Sequence, residues 1–251
     1  MASATKSVAG PMHCRQYVTG REVDVRSDSP LIQVWTVDLD ANRESVSHFR
    51  RLLSDEEVGR ADKFRFEQGR NEFTITRGVL RTLLGAYLGI APEQLRFSHS
   101  HHGKPELHGQ LKHCVEFNVS HSDGMAIVSF ANARRLGVDI EKVRLGFEHE
   151  RIAERFFSEN EREQLRSISR QEIPHAFFRC WTRKEAFIKA LGEGLSHPLH
   201  QFDVELRPGK SPCLLSTRPD PDEAPRWTLY DIPVPAGYVA ALAMEECPRL
   251  A

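Results

Sequence analysis

The stretch GVDIEKVR, residues 137 to 144, sets Asp139 and Glu141 on a short run that is otherwise mostly apolar. In an extended strand side chains alternate between faces, so Gly137, Asp139 and Glu141 share one face while Val138 and Ile140 share the other. Two carboxylates so placed lie about 7 Å apart and repel each other unless something positive stands between them. A third acid, Glu185, falls in FFRCWTRKEAFIKAL, where Phe177, Phe178, Trp181, Glu185 and Ile188 lie on one side of a helix. A bare carboxylate in an apolar stripe must be protonated, paired or bound to a cation. Lys189, one turn on, is the simple ion-pair partner. The alternative joins the acids: Asp139, Glu141 and Glu185 offer three hard oxygen ligands without cysteine or committed histidine, which suits Mg²⁺ rather than zinc. Mg²⁺ commonly bridges carboxylates to phosphates, so a phosphate-bearing substrate is expected.

Two other patterns invite a chemical reading. Arg70, Thr74, Arg77 and Arg81 form a stripe at i, i+4, i+7 and i+11, read either as a solvated face or as a phosphate site. Six of the twelve histidines, His99, His101, His102, His108, His113 and His121, fall between residues 97 and 121. They lack HExxH and helical spacing, so polar loop surface is favoured over a zinc site.

These residues need elements to position them. Strand alternation in LIQVWTVDLD marks where order begins, and Ser54 with Glu57 forms a capping box that opens a helix. GRNEFTITRGVLRTLLGAYLG reads as a second helix with Phe73, Thr76, Leu80, Leu83, Leu84 and Tyr87 on one face. VEFNVSHSDGMAIVSF reads as strand, polar turn, strand, and NARRLG as a hairpin leading into the acidic strand. Ser158 and Glu161 make another capping box, and the helix that carries Glu185 follows Pro174 and stops at Gly192 and Gly194. Strand-like runs HQFDVEL, RWTLYDI and GYVAALAM close the chain. Residues 1–30 are polar and aperiodic and read as a loosely attached extension.

At 251 residues, with 40% hydrophobic and 27% charged residues, the chain is long enough for one large or two small soluble domains. A net charge of -1 gives no electrostatic argument for a nucleic-acid or membrane partner. Five scattered cysteines without a CxxC spacing suit a reducing compartment. With no signal-like start and no run near the ~18 to 20 apolar residues of a membrane span, a cytoplasmic protein is expected.

GVDIE followed by WTRKEAFIKALGEG resembles the 4'-phosphopantetheinyl transferases of the surfactin-synthetase-activating type. The match places Trp181, Lys184, Glu185, Ala186, Lys189 and Gly192 on that family's W-x-x-K-E-A-x-x-K-x-x-G pattern. Upstream, HGKPEL resembles its G-K-P motif and FNVSHS its F-N-x-S-H motif. All four occur in the family's order, so the resemblance spans roughly residues 31 to 245. FFSENE also fits a Phe-rich turn ending in an acid at Glu161, although the capping box explains that acid by itself.

The resemblance implies an α+β fold, a pseudo-dimer of two similar halves with the active site between them. The N-terminal half would span 31–133 and the C-terminal half, carrying the metal, 134–251. It implies coenzyme A as substrate, Mg²⁺ as cofactor, and a serine of an acyl or peptidyl carrier protein as acceptor. Asp139, Glu185 and Glu141 would hold the metal, Glu141 directly or through water. Glu185 would be the general base, directly or with a metal-bound water relaying the proton, and Lys189 would neutralise charge on the attacked phosphate and the departing 3',5'-ADP. Ser120 and His121 would contact the 3'-phosphate and its surroundings, with Lys104 nearby and with Lys63, Arg70 and Arg77 as further basic contacts to the nucleotide. A monomer is expected, since a site between halves of one chain needs no second copy. Two other readings share parts of this pattern: a Mg²⁺-dependent nucleotide phosphohydrolase that needs no acceptor protein, and a non-catalytic coenzyme A-binding module.

Overall fold

The computed structural model describes the backbone of residues 14–18 and residues 32–101, 103–112, 114–132, 134–146, 148–194 and 197–246. The first half contains β1 (Cys14–Val18), β2 (Gln33–Asp38), α1 (Val46–Leu52), α2 (Asp55–Asp62), α3 (Glu67–Leu88), β3 (Phe97–His99), β4 (Pro105–Leu107), β5 (Glu116–Ser122) and β6 (Met125–Ala131). The second contains β7 (Leu136–Lys142), α4 (His149–Phe156), α5 (Glu159–Ser167), α6 (Ile173–Leu191), β8 (Phe202–Val204), β9 (Leu214–Thr217), β10 (Trp227–Asp231) and β11 (Tyr238–Glu245).

Each half lays one long helix against an antiparallel sheet, which makes the fold α+β with two halves of similar build. In the first, α3 covers the sheet β1-β2-β6-β5 through Val79, Leu80 and Leu84 packed with Val37 and Val128. In the second, α6 covers β10-β11-β7 through Phe187 and Ile188 packed with Ala241 and Ala243. The opposite faces of the two sheets close on each other: Val34 and Ile127 share a core with Val138, Ile140 and Leu242. Strands between a helix and a second sheet are buried on both faces, which is why Val34, Trp35, Thr36 and Val37 are all buried although the sequence alternates only weakly.

Local signals place many of the boundaries. Both capping boxes form: Ser54 Oγ accepts from Glu57 N, Ser158 Oγ accepts from Glu161 N, and each glutamate reaches back to its serine N–H. Asp123 and Gly124, with φ of 43° and 86°, make the two-residue turn that joins β5 to β6. Gly192, with φ of 76°, ends α6 in the left-handed conformation.

Several expectations are overturned. NARRLG does not form a hairpin, because both edges of β6 are already taken by β2 and β5. The chain crosses to the other sheet instead, where β7 pairs antiparallel with β11. Within the stretch read as a loose extension, β1 adds an edge strand to β2. The arginine stripe on α3 is not a solvated face: Arg81 is 1% exposed and bonds Glu57 and the carbonyls of Pro92 and Leu95, and Arg77 also pairs with Glu57.

Helix α6 has no solvated charged face either. Arg183 and Lys184 are fully buried. Arg183 bonds Asp231 bidentately and donates to the Glu205 carbonyl. Lys184 lies 2.7 Å from Glu161 and donates to the carbonyls of Leu199 and Phe202. Glu161 also accepts from Val204 N, so one buried carboxylate ties the α5 cap, α6 and β8 together.

Candidate active site

The strand β7 reaches α6 more closely than a side chain would allow. A Cβ on Gly137 would stand 2.2 Å from the Ala186 carbonyl oxygen and 2.4 Å from Ala190 N. Glycine removes that obstacle, and Asp139, two residues along the same face, arrives beside the α6 residues Glu185 and Lys189.

Asp139 is 4% exposed. Its Oδ1 accepts from Ser120 Oγ at 2.8 Å and from Lys189 Nζ at 2.6 Å, while its Oδ2 is buried without a hydrogen-bond partner. Lys189 Nζ also donates to Ser120 Oγ at 2.9 Å. The expected helix ion pair between Glu185 and Lys189 is therefore replaced by one across to the strand. Glu185 Oε1 is likewise buried and unpartnered. Burial and the neighbouring Asp139 charge push the Glu185 carboxyl up to about 7, with Glu141 adding to the rise and Lys189 opposing it. Glu141 is half-buried and accepts from Ser122 Oγ at 3.0 Å. Burial, then Asp139, raise its pKa, against the pull of the Ser122 hydroxyl, Lys189 and Arg144.

Three clustered acids, of which Glu141 and Glu185 have raised pKa values and Asp139 and Glu185 keep a buried orphan oxygen, fit a hard cation. Among the described residues no group of three or more His, Cys, Asp or Glu side chains forms a ready cage for a metal. Mg²⁺ does not need one: it commonly takes one or two carboxylates and completes its shell with water and substrate phosphate. The donor set therefore suits Mg²⁺ held jointly with a phosphorylated substrate. None of the described histidines belongs to such a group either; His102 and His113 lie outside the described residues.

Of the other expected residues, Ser120 is in the cluster and His121 follows it on β5. Desolvation lowers the His121 pKa, Glu72 opposes and Lys189 reinforces, even though the residue as a whole is exposed. Lys104 is half-buried, 3.5 Å from the Leu136 carbonyl and 3.7 Å from Glu116, so it bridges from the first half to the start of β7. Burial lowers its pKa, with Glu116 opposing. Lys63 is exposed at the end of α2 and Arg70 is half-buried early in α3. Among the described residues no hydrogen bond or ion pair joins Lys63, Arg70 or Arg77 to Asp139, Glu141 or Glu185; Arg77 pairs with Glu57 instead.

Sequence reading missed Asn118 and Ser122, which bond β7 from the same face of β5 as Ser120. The signal was present as polar residues at every second position of FNVSHS.

Residues 135–243 match the family profile described as the 4'-phosphopantetheinyl transferase superfamily, and residues 39–132 match the profile of a 4'-phosphopantetheinyl transferase N-terminal region. The 4'-phosphopantetheinyl transferase HetI of Nostoc sp. is 36% identical over 214 residues, covering 85% of this chain and 87% of that protein. A putative 4'-phosphopantetheinyl transferase of Synechocystis sp. is 32% identical, covering 82% and 81%. The 4'-phosphopantetheinyl transferase Sfp of Bacillus subtilis is 29% identical, covering 72% and 83%.

Proposed function

The chain belongs to the 4'-phosphopantetheinyl transferase superfamily, and from that premise we propose that it moves the phosphopantetheine arm of coenzyme A onto a serine of an acyl or peptidyl carrier protein, with Mg²⁺ as cofactor. The enzyme is a 4'-phosphopantetheinyl transferase, and coenzyme A is the family's substrate. The observation that carries the metal-dependent reading is the pair of buried, unpartnered carboxylate oxygens, Asp139 Oδ2 and Glu185 Oε1, beside the Lys189 ammonium.

Asp139 and Glu185 hold the cation in this reading, with Glu141 as the third carboxylate. When bound, Mg²⁺ supplies Lewis-acid stabilisation of the pyrophosphate oxygens. Glu185 accepts the proton of the carrier serine as its oxygen attacks phosphorus, which requires an ionised carboxylate, the form that a neighbouring cation favours. Lys189 stabilises charge on the attacked phosphate and on the departing 3',5'-ADP. Ser120, His121 and Lys104 bind the nucleotide phosphates from the first half. Lys63, Arg70 and Arg77 add positive charge farther along the nucleotide, where Arg77 would share its guanidinium with Glu57.

The halves 31–133 and 134–251 form the two walls of the site, with 1–30 as an extension that contributes β1. We assign the enzyme to the cytoplasm as a monomer. No helix among the described residues is long and apolar enough to cross a membrane.

Intact-mass spectrometry of a purified apo carrier protein incubated with the enzyme, coenzyme A and Mg²⁺ tests the reading. The expected result is a gain of one phosphopantetheine group that disappears with EDTA and with Asp139→Ala. No gain across several acyl and peptidyl carriers would overturn it.

A further inference from the structure

The edge strands β5 and β7 belong to different sheets, yet they are joined by a ladder of side chains. Val138 N donates to Asn118 Oδ1 at 3.0 Å, Ser120 Oγ donates to Asp139 Oδ1 at 2.8 Å, and Ser122 Oγ donates to Glu141 Oε2 at 3.0 Å. Ser122 Oγ also accepts from Lys142 N at 3.3 Å, so its donor and an acceptor site are both used. All three β5 residues are less than 9% exposed: Asn118 6%, Ser120 7% and Ser122 8%.

The arrangement follows from the period of two. Residues 118, 120 and 122 share one face of β5, and their partners advance along β7 from Val138 to Glu141. Asn118 satisfies a buried strand N–H that has no neighbouring strand to accept it. Ser120 and Ser122 each fix one oxygen of an acid. For Glu141 this matters most, because its side chain has three rotatable bonds and is repelled by Asp139 beside it. Held by Oε2, the carboxylate cannot swing freely to water, and Oε1 remains for another ligand.

We propose that this ladder sets the carboxylate constellation, and that Ser122, acting through Glu141, is a positioning residue that determines affinity for the divalent cation. The inference rests on the reading of Asp139, Glu141 and Glu185 as a cation site. Residues that orient metal ligands change affinity by about 10- to 100-fold when removed.

Mn²⁺ binding to the full chain, followed by electron paramagnetic resonance without substrate, tests this. Thermal unfolding in EDTA, recorded on each variant, separates lost binding from lost fold. Ser122→Ala should weaken Mn²⁺ binding by about tenfold or more, and Ser122→Thr, which keeps the hydroxyl, should restore it. Adding Ser122→Ala to Glu141→Gln should cause no further loss. If Ser122→Ala does not unfold cooperatively, Ser122→Cys, a weaker donor of similar size, carries the same expectation. Unchanged Mn²⁺ affinity in a folded Ser122→Ala or Ser122→Cys, an additive loss in the double variant, or no rescue by a folded Ser122→Thr would each overturn the ladder while leaving the cation site intact. A wild-type chain that binds no Mn²⁺ would overturn the cation reading itself, and this inference with it.

Discussion

Lys189 Nζ stands 2.6 Å from Asp139 Oδ1, so the ammonium that α6 carries is shared with a strand of the opposite layer rather than with Glu185 one turn away. The contact balances part of the negative charge that three acids concentrate in a half-buried site. In the proposed reaction the same ammonium would face the phosphate as it gains negative charge. Replacing Lys189 with Ala should lower kcat for carrier modification by about 10²- to 10³-fold, the loss typical of one preorganised electrostatic donor. Because the ammonium opposes a cation at Asp139, the same variant should bind Mn²⁺ more tightly. Steady-state kinetics and metal titration check both halves, and loss of both activities together would contradict the assignment.

Gly137 sets the distance between β7 and α6. An alanine there must displace backbone atoms 2.2 Å and 2.4 Å away, not a flexible side-chain end. Gly137→Ala should therefore destabilise the fold by about 1–3 kcal/mol or more, measured by urea denaturation. Mn²⁺ affinity should fall in whatever folded fraction remains, since the displacement separates Asp139 from Glu185.

The raised Glu185 carboxyl gives a pH dependence with a definite sign. Its pKa rises from 4.5 to about 7 on folding, so the folded protein holds the proton more tightly than the unfolded chain. That contribution is fully present below the unfolded value and is lost as pH climbs through about 7. In EDTA the melting temperature should fall over this interval, and Glu185→Gln should flatten the slope. A divalent cation should raise the melting temperature more above pH 7 than below it, and differential scanning fluorimetry across pH with and without Mg²⁺ reads both effects.

The Lys184–Glu161 pair is fully buried, and breaking it leaves one charge without its partner. Lys184→Met should cost about 3–5 kcal/mol in chemical denaturation. Adding Glu161→Gln should recover part of that loss, because the orphan charge goes with it. A single Lys184→Met variant as stable as wild type would show that the pair does not hold α6 in place.

Much of the local architecture was legible in the chain. The capping boxes at Ser54 and Ser158, the left-handed stop at Gly192, the Asp123-Gly124 turn and the shared face of Asp139 and Glu141 each depend on residues within a few positions of one another. The family, too, followed from four motifs in order. Other features depended on which distant elements meet. The hairpin expected at NARRLG fails because β6 has no free edge, a fact that only the pairing of β2 and β5 creates. The arginines of α3 could be read as a solvated face until Glu57 of another helix pairs with Arg77 and with the buried Arg81. Lys189 reads as a partner for Glu185 until Asp139 arrives from β7, admitted by Gly137. The sequence by itself therefore determined the elements, their ends and the types of residue available for chemistry, because these are governed by local backbone preference and periodicity. Only the tertiary structure decided which charges neutralise one another and which carboxylate oxygens remain unpaired, because that depends on burial and contact between residues far apart in the chain.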